Sequence, residues 1–266
     1  MIRAEQIRFP SKTAVILKNI KFRAEKGKFI AIIGPNGAGK SSLLNYLANE
    51  IDPKINRTCF KGKNYREWCR KELACQKAKF SQQQQNDIPL RVKDILLMGR
   101  YPYFHYQPQK TDWEATKIWM EKTEISHLEN RDYNQLSGGE KQRVHLARIF
   151  AQVENKAQEK LVFLDEPLNN LDIAHQFKIL QTIKDFTQNN NTAITVLHDL
   201  NLTAQFADEV VLMQNGKIKM YDSPENVFQE KIIENVYQFP CKIISNPITN
   251  RPYICLLYTS PSPRDA

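Results

Sequence analysis

The stretch Lys28-Phe29-Ile30-Ala31-Ile32-Ile33-Gly34-Pro35-Asn36-Gly37-Ala38-Gly39-Lys40-Ser41-Ser42-Leu43-Leu44-Asn45-Tyr46-Leu47 changes character twice. A short apolar, β-branched run gives way to a glycine-rich turn and then to Ser41–Leu47, which reads as a helix, so the order is buried strand, loop, helix. Gly34 to Ser41 match the phosphate-loop pattern GxxxxGK[ST] in the context it requires. Glycines let backbone N–H groups turn inward on phosphate, and the helix N-terminus adds positive potential. Gly34, Pro35, Asn36, Gly37, Ala38, Gly39, Lys40, Ser41 and Ser42 are therefore the expected contacts to a nucleotide. Lys40 reaches the outer phosphates, and the Ser41 hydroxyl suits Mg²⁺.

On the N-terminal side, Ile2 to Phe9 and Val15 to Phe22 alternate patchily around Pro10-Ser11-Lys12, which predicts a small antiparallel sheet. On the C-terminal side, Leu161 to Leu164 and Ala193 to Leu197 read as buried strands. Between them Ile173, Phe177, Leu180, Ile183 and Phe186 recur at helical spacing, so the strands belong to a parallel sheet with crossover helices. Val92 to Gln152 reads mainly helical, including Trp113 to Lys122 and Glu140 to Gln152. Gln214-Asn215-Gly216-Lys217 between two apolar runs predicts a hairpin, because Asn-Gly supplies the positive φ of a tight turn. The expected class is α/β: a mostly parallel core, an N-terminal antiparallel β subdomain and a helical insertion at about 83–152, all within one domain over 2–240. Residues 241–256 form a C-terminal remainder. The Ser/Pro-rich end, 257–266, reads as translated adaptor sequence and is set aside.

With 266 residues, 41% of them hydrophobic and 25% charged, the chain has an ordinary globular composition, which excludes disorder and fibrous repeats. It contains no apolar run of eighteen residues and opens without the apolar stretch of a secretory signal, so a membrane role is expected to be peripheral. Cys59, Cys69, Cys75, Cys241 and Cys255 form no metal-ligand spacing and read as reduced thiols. The formal charge of +9 suits acidic partners in general. Its densest stretch, Lys61 to Lys79, carries no nucleic-acid motif and reads as a solvated face.

Asp165 follows four apolar strand residues, which puts its carboxylate at the carboxyl edge of the sheet beside the phosphate loop, where it can hold Mg²⁺. Glu166 comes next and suits the orientation or deprotonation of an attacking water. A phosphate-loop ATPase and a nucleotide kinase both fit these residues. Leu136-Ser137-Gly138-Gly139-Glu140-Lys141-Gln142-Arg143 decides between them, because here the sequence resembles the ABC ATPase family in both motif and order.

The resemblance extends to Gln82 as the Q-loop glutamine, Asn169-Asn170-Leu171-Asp172 as the D-loop and His198 as the switch histidine. Phe9 takes the place where family members often stack an aromatic on adenine. The family implies a P-loop NTPase (RecA-like) fold, ATP and Mg²⁺ as cofactors, and Glu166, His198 and Gln82 as the residues of hydrolysis. It implies that Ser41, Gln82 and Asp165 hold the metal. It also implies a head-to-tail homodimer in which Ser137, Gly138, Gly139 and Asp172 complete the ATP site built around Lys40 of the other copy.

Leu97-Met98-Gly99-Arg100-Tyr101-Pro102-Tyr103 and Leu171-Asp172-Ile173-Ala174-His175-Gln176 resemble the ATPases of haemin importers; ferric-siderophore subunits carry similar strings, and a ferric siderophore or cobalamin is the alternative cargo. That likeness implies two transmembrane permease subunits, a periplasmic or surface substrate-binding protein reached through them, and a peripheral place on the cytoplasmic face of the bacterial inner membrane. It also implies a permease-docking patch of Arg100, Tyr101, Tyr103 and Phe104. ABC ATPases that act on nucleic acid are the alternative. They usually carry two motif sets or a long coiled coil; this chain has one set and no heptads, so no nucleic acid is expected.

Overall fold

A computed structural model of the chain describes residues 1–10, 15–51, 56–81 and 89–257. Gln82 lies outside the described residues, as does the end of the chain from 258. In chain order the elements are β1 (Ile2–Pro10), β2 (Val15–Ala24), β3 (Phe29–Ile33), α1 (Lys40–Leu47), β4 (Cys59–Phe60), β5 (Lys63–Asn64), α2 (Arg70–Ala74), β6 (Lys77–Phe80), α3 (Val92–Met98), α4 (Lys110–Lys122) and α5 (Gly138–Gln152). They continue with β7 (Leu161–Asp165), α6 (Ile173–Gln188), β8 (Thr192–Val196), α7 (Leu200–Phe206), β9 (Glu209–Gln214), β10 (Lys217–Asp222), α8 (Pro224–Val227), α9 (Glu230–Tyr237), β11 (Cys241–Ser245) and β12 (Pro252–Leu256).

The central sheet has the order β10-β9-β3-β8-β7-β6. Its strands run parallel except β10, which pairs antiparallel with β9. Strand β3 is buried along its length, and its alternate residues feed two different cores. Phe29, Ala31 and Ile33 pack on the side that holds Ile95, Val144, Phe150 and Leu180 of the helices. Ile30 and Ile32 pack on the other side, with Leu43 and Leu44 of α1 and with Ile7, Leu17 and Phe22 of the antiparallel sheet β2-β1-β4-β5. The chain leaves β3 for the far edge at β6 and returns through β7 and β8, so the carboxyl ends of β3, β7 and β8 enclose the crevice where ligands of such sheets bind.

Within the segment read as helical, Trp119 of α4 stacks on Phe150 of α5 at 4.5 Å between ring centroids. The docking patch expected there needs correction. Arg100 is 4% exposed, its Nε donates to Asp112 Oδ1 at 3.0 Å, and its Nη1 donates to the carbonyls of Ala151 and Glu154. The guanidinium also lies 3.6 Å from the Tyr103 ring centroid, so it ties α4 to the end of α5 instead of facing outward. Tyr103 is half-buried and donates its hydroxyl to Gln152 O at 2.7 Å, whereas Tyr101 is 61% exposed.

One strand of the core, β6, is not visible as an apolar run. Strand β6 reads Lys77-Ala78-Lys79-Phe80, with only Ala78 and Phe80 buried. Burial holds the Lys77 ammonium down to about 8, and it donates to the Ala48 carbonyl. At the other edge, Asn215 (φ 49) and Gly216 (φ 75) make the tight turn between β9 and β10. Gly216 N donates to Ala38 O at 3.0 Å, and Lys18 N donates to Gly216 O at 2.8 Å. A Cβ on Gly216 would stand 2.0 Å from Ile16 O, so glycine is required there by space as well as by φ. Among the described residues no helix is long and apolar enough to cross a membrane.

Candidate functional site

Residues 34–39 link β3 to α1 at the carboxyl edge of the sheet. The N-cap of α1, Gly39 (φ 98), has no side chain to cap with, so the first N–H groups of the helix keep their capacity for an anion. Lys40 is 6% exposed and turns back on its own loop, donating to Gly34 O at 2.8 Å and Pro35 O at 3.1 Å. Burial lowers its ammonium from the usual lysine range, while Glu166 and Asp165 nearby oppose that drop. Ala38 is buried, whereas Asn36 and Gly37 face solvent.

Ser41, in the first turn of α1, donates its hydroxyl to Asp165 Oδ1 at 3.0 Å. Asp165 ends β7, and burial raises its carboxyl above the ordinary range despite that hydrogen bond. Glu166 follows at φ 51, a left-handed backbone that a residue with a Cβ adopts at a cost of order 1–3 kcal/mol. That conformation turns its side chain toward β8, where His198 Nε2 donates to Glu166 Oε1 at 2.6 Å and Asn169 Nδ2 donates to Oε2 at 2.8 Å. Burial works to raise the Glu166 carboxyl, but these donors hold it below the usual range, as an anion. His198 stands just past β8 and is half exposed. Two hydrogen-bonded pairs, Ser41–Asp165 and His198–Glu166, are thus held side by side by consecutive residues at the end of β7, with Lys40 close enough to feel both carboxylates.

Two oxygens 3.0 Å apart, one on a half-buried carboxylate with no ion pair among the described residues, make a donor set suited to Mg²⁺. No group of three or more His, Cys, Asp or Glu stands around them among the described residues.

Ser137, Gly138 and Gly139 lie elsewhere. They line a cavity of about 610 Å³ with Arg143, Asn170 and Asp172, and no described hydrogen bond joins them to residues 34–42. Ser137 caps α5 in a reciprocal box: Glu140 N donates to Ser137 Oγ at 3.3 Å and Ser137 N donates to Glu140 Oε2 at 2.8 Å. Asp172 caps α6 and accepts from His175 N at 2.9 Å and from its ring at 2.8 Å. Those backbone and ring donors hold Asp172 below the usual aspartate range. Phe9 is half-buried in the antiparallel sheet opposite Leu17, whose Cδ2 reaches to 3.2 Å of the Cβ position on Gly39. The Phe9 ring packs, partly buried, against the core shared by the antiparallel sheet and α1. Sequence reasoning missed Asn169 as a partner of Glu166, and Gln142, whose Nε2 donates to Glu166 O at 3.3 Å. The first was detectable as an amide three residues after Glu166, in reach across a turn. The second had no local signal.

Residues 17–169 match the family model described as ABC transporter. The hemin import ATP-binding protein HmuV of Idiomarina loihiensis is 37% identical over 247 residues, covering 92% of this chain and 93% of its own. The protein of that name from Escherichia coli O157:H7 is 35% identical over 258 residues, covering 96% and 99%. Among solved structures, the dimer of a bacterial ABC transporter cassette superposes with a TM-score of 0.71 at 25% identity, over 84% of this chain and 98% of that one. The phosphate loop, the Asp-Glu strand end and the second glycine-rich helix start thus occur on a fold and in a sequence shared with these proteins, and the chain belongs to the ABC transporter family as one of its ATP-hydrolysing subunits.

Proposed function

We propose that this subunit powers the import of haem across a bacterial inner membrane, from the cytoplasmic face, as a homodimer joined to two transmembrane permease subunits. A substrate-binding protein on the far side delivers the cargo, and nucleic acid plays no part. The cargo reading rests on relatives named for hemin import that are 33–37% identical over about nine-tenths of the chain.

The single observation that carries the mechanism is the adjacent pairing of Ser41 with Asp165 and of His198 with Glu166 at the mouth of the phosphate loop. In this reading Gly34 to Ser42 wrap the phosphates, and Lys40 leaves the Gly34 and Pro35 carbonyls for the outer phosphates. Ser41 and Asp165, together with Gln82, hold Mg²⁺, which neutralises phosphate charge when bound. Glu166, kept anionic and aimed by His198 and Asn169, orients and deprotonates the attacking water. His198, beside Glu166, contacts the γ-phosphate, and Phe9 packs against adenine. Ser137, Gly138, Gly139 and Asp172 serve the partner copy's nucleotide, which agrees with their opening onto a separate cavity.

The test is ATP turnover of the subunit with its permease in proteoliposomes, comparing haem-loaded binding protein with a ferric-siderophore-loaded one. Stimulation by the haem-loaded protein alone is expected. Stimulation by the siderophore-loaded protein alone moves the cargo, and no response to either rejects the import reading.

A further inference from the structure

His198 is held by more than its bond to Glu166. The next residue, Asp199, is the N-cap of α7, accepting from Leu202 N at 2.8 Å, while its carbonyl accepts from Thr203 Oγ1 at 2.7 Å. Any tilt or shift of α7 therefore moves the His198 backbone. Helix α7 is only seven residues long, too short to fix its own orientation. It is gripped by the hairpin β11–β12, which the sequence presents as an unremarkable remainder.

The grip has two points. Asn201 and Ile254 exchange a pair of hydrogen bonds: Asn201 Nδ2 donates to Ile254 O at 3.1 Å, and Ile254 N donates to Asn201 Oδ1 at 2.7 Å. One turn further along, Arg251 Nη1 donates to the carbonyls of Ala204 and Ala207, at 3.2 and 2.9 Å, at the open end of α7. The hairpin is itself anchored on α9, where Glu234 and Glu230 accept from the backbone N–H of Cys241 and Ile243, each at 3.0 Å. The imidazole, in contrast, borders a cavity of about 380 Å³ whose far wall is Tyr237, Ile254 and Leu256. It is 46% exposed, so side-chain packing leaves it room to move, and its place is set through α7.

We propose that the C-terminal hairpin braces the switch histidine: Asn201 and Arg251 are positioning residues that lock α7 and thereby aim His198 at Glu166 and the nucleotide. The inference rests on the role given to His198 above. A displacement of about 1 Å at a reacting centre costs up to about a hundredfold in rate, so a brace outside the nucleotide site can govern turnover while leaving ATP affinity alone.

The experiment uses the full chain with Mg-ATP. Bound ATP is counted with labelled nucleotide, so that turnover is expressed per occupied site and loss of folded protein does not enter. Arg251→Ala and Asn201→Ala are expected to lower kcat per bound ATP by about 3- to 30-fold with KM within about twofold, and Arg251→Lys, which can still donate to both carbonyls, to retain most of the rate. The imidazole resonance that disappears in His198→Ala is expected to shift or broaden in both alanine variants. Wild-type kcat per bound ATP, or a His198 resonance unmoved in both variants, overturns the brace. Full turnover by His198→Ala itself overturns the role of His198, a result separate from any seen with Arg251 or Asn201.

Discussion

Helices α1 and α5 both carry glycine where they start, Gly39 as the cap of α1 and Gly138-Gly139 in the first turn of α5, yet their N-termini are finished in opposite ways. At α1 the cap is Gly39, which offers nothing to the first-turn N–H groups, and the loop folds inward so that Lys40 occupies its own carbonyls. At α5 the cap is Ser137, whose box with Glu140 satisfies the helix start and leaves its surface open to a cavity. The first end is incomplete until an anion arrives. The second has its Glu140 N–H already capped and presents a fixed face, which is what a surface needs if it is to meet a nucleotide held by another copy.

The largest expected effect breaks the comparison on the α1 side. Glu166→Gln keeps the shape beside the phosphate loop but removes the anion, and steady-state phosphate release should fall by about 10²–10⁴-fold while ATP binding persists. Gly139→Ala tests the α5 side, where a Cβ would meet Asn170 O at 2.7 Å. Turnover is expected to fall about tenfold or more, with ATP affinity of the single chain within about twofold. In Gly138→Ala the new Cβ meets Asn170 only at 3.7 Å, so the fold should accept it, read as a Tm within a few degrees of wild type.

A smaller effect comes from the root of α5. His145 is buried, its Nε2 lies 2.6 Å from the Tyr133 hydroxyl, and burial pushes its pKa down to about 4 from an ordinary 6.5. The unfolded chain therefore takes up this proton first as pH falls. Stability from this group is intact above about pH 6.5 and is lost between there and pH 4, about 2 kcal/mol by pH 5. Urea unfolding at pH 7 and pH 5 checks the sign, and His145→Gln should flatten the difference. Smallest is Glu140→Ala, which opens the Ser137 box for about 1 kcal/mol, read as a fall of a few degrees in Tm.

Chemistry-bearing residues close together in sequence were readable, because a phosphate loop and a strand-end Asp165-Glu166 pair each carry their context with them. The central strands were readable for a related reason: β3, β7 and β8 are buried on both faces and so nearly all apolar. Strand β6 was hidden by two lysines whose stems lie along the core. Of the helical pattern Ile173 to Phe186, Ile173 and Phe177 prove exposed at 75% and 46%, since the first turns of α6 extend past the core they appear to face. Arg100 was misread because an arginine among tyrosines looks like surface until Asp112, twelve residues on, is brought against it. The Arg251 and Asn201 contacts span 44 to 53 residues, and no local pattern announces a bond at that range.

The Asn215-Gly216 turn has a practical consequence for anyone labelling this protein. Exposed hairpin tips are the usual places to insert a tag or a fluorophore, since they accept extra residues without disturbing a core. This tip is instead a junction where the main sheet, the antiparallel sheet and the phosphate loop are joined through Gly216, Lys18 and Ala38. An insertion there would separate all three at once, so a probe belongs on a side chain that faces solvent, such as the 98% exposed Tyr106.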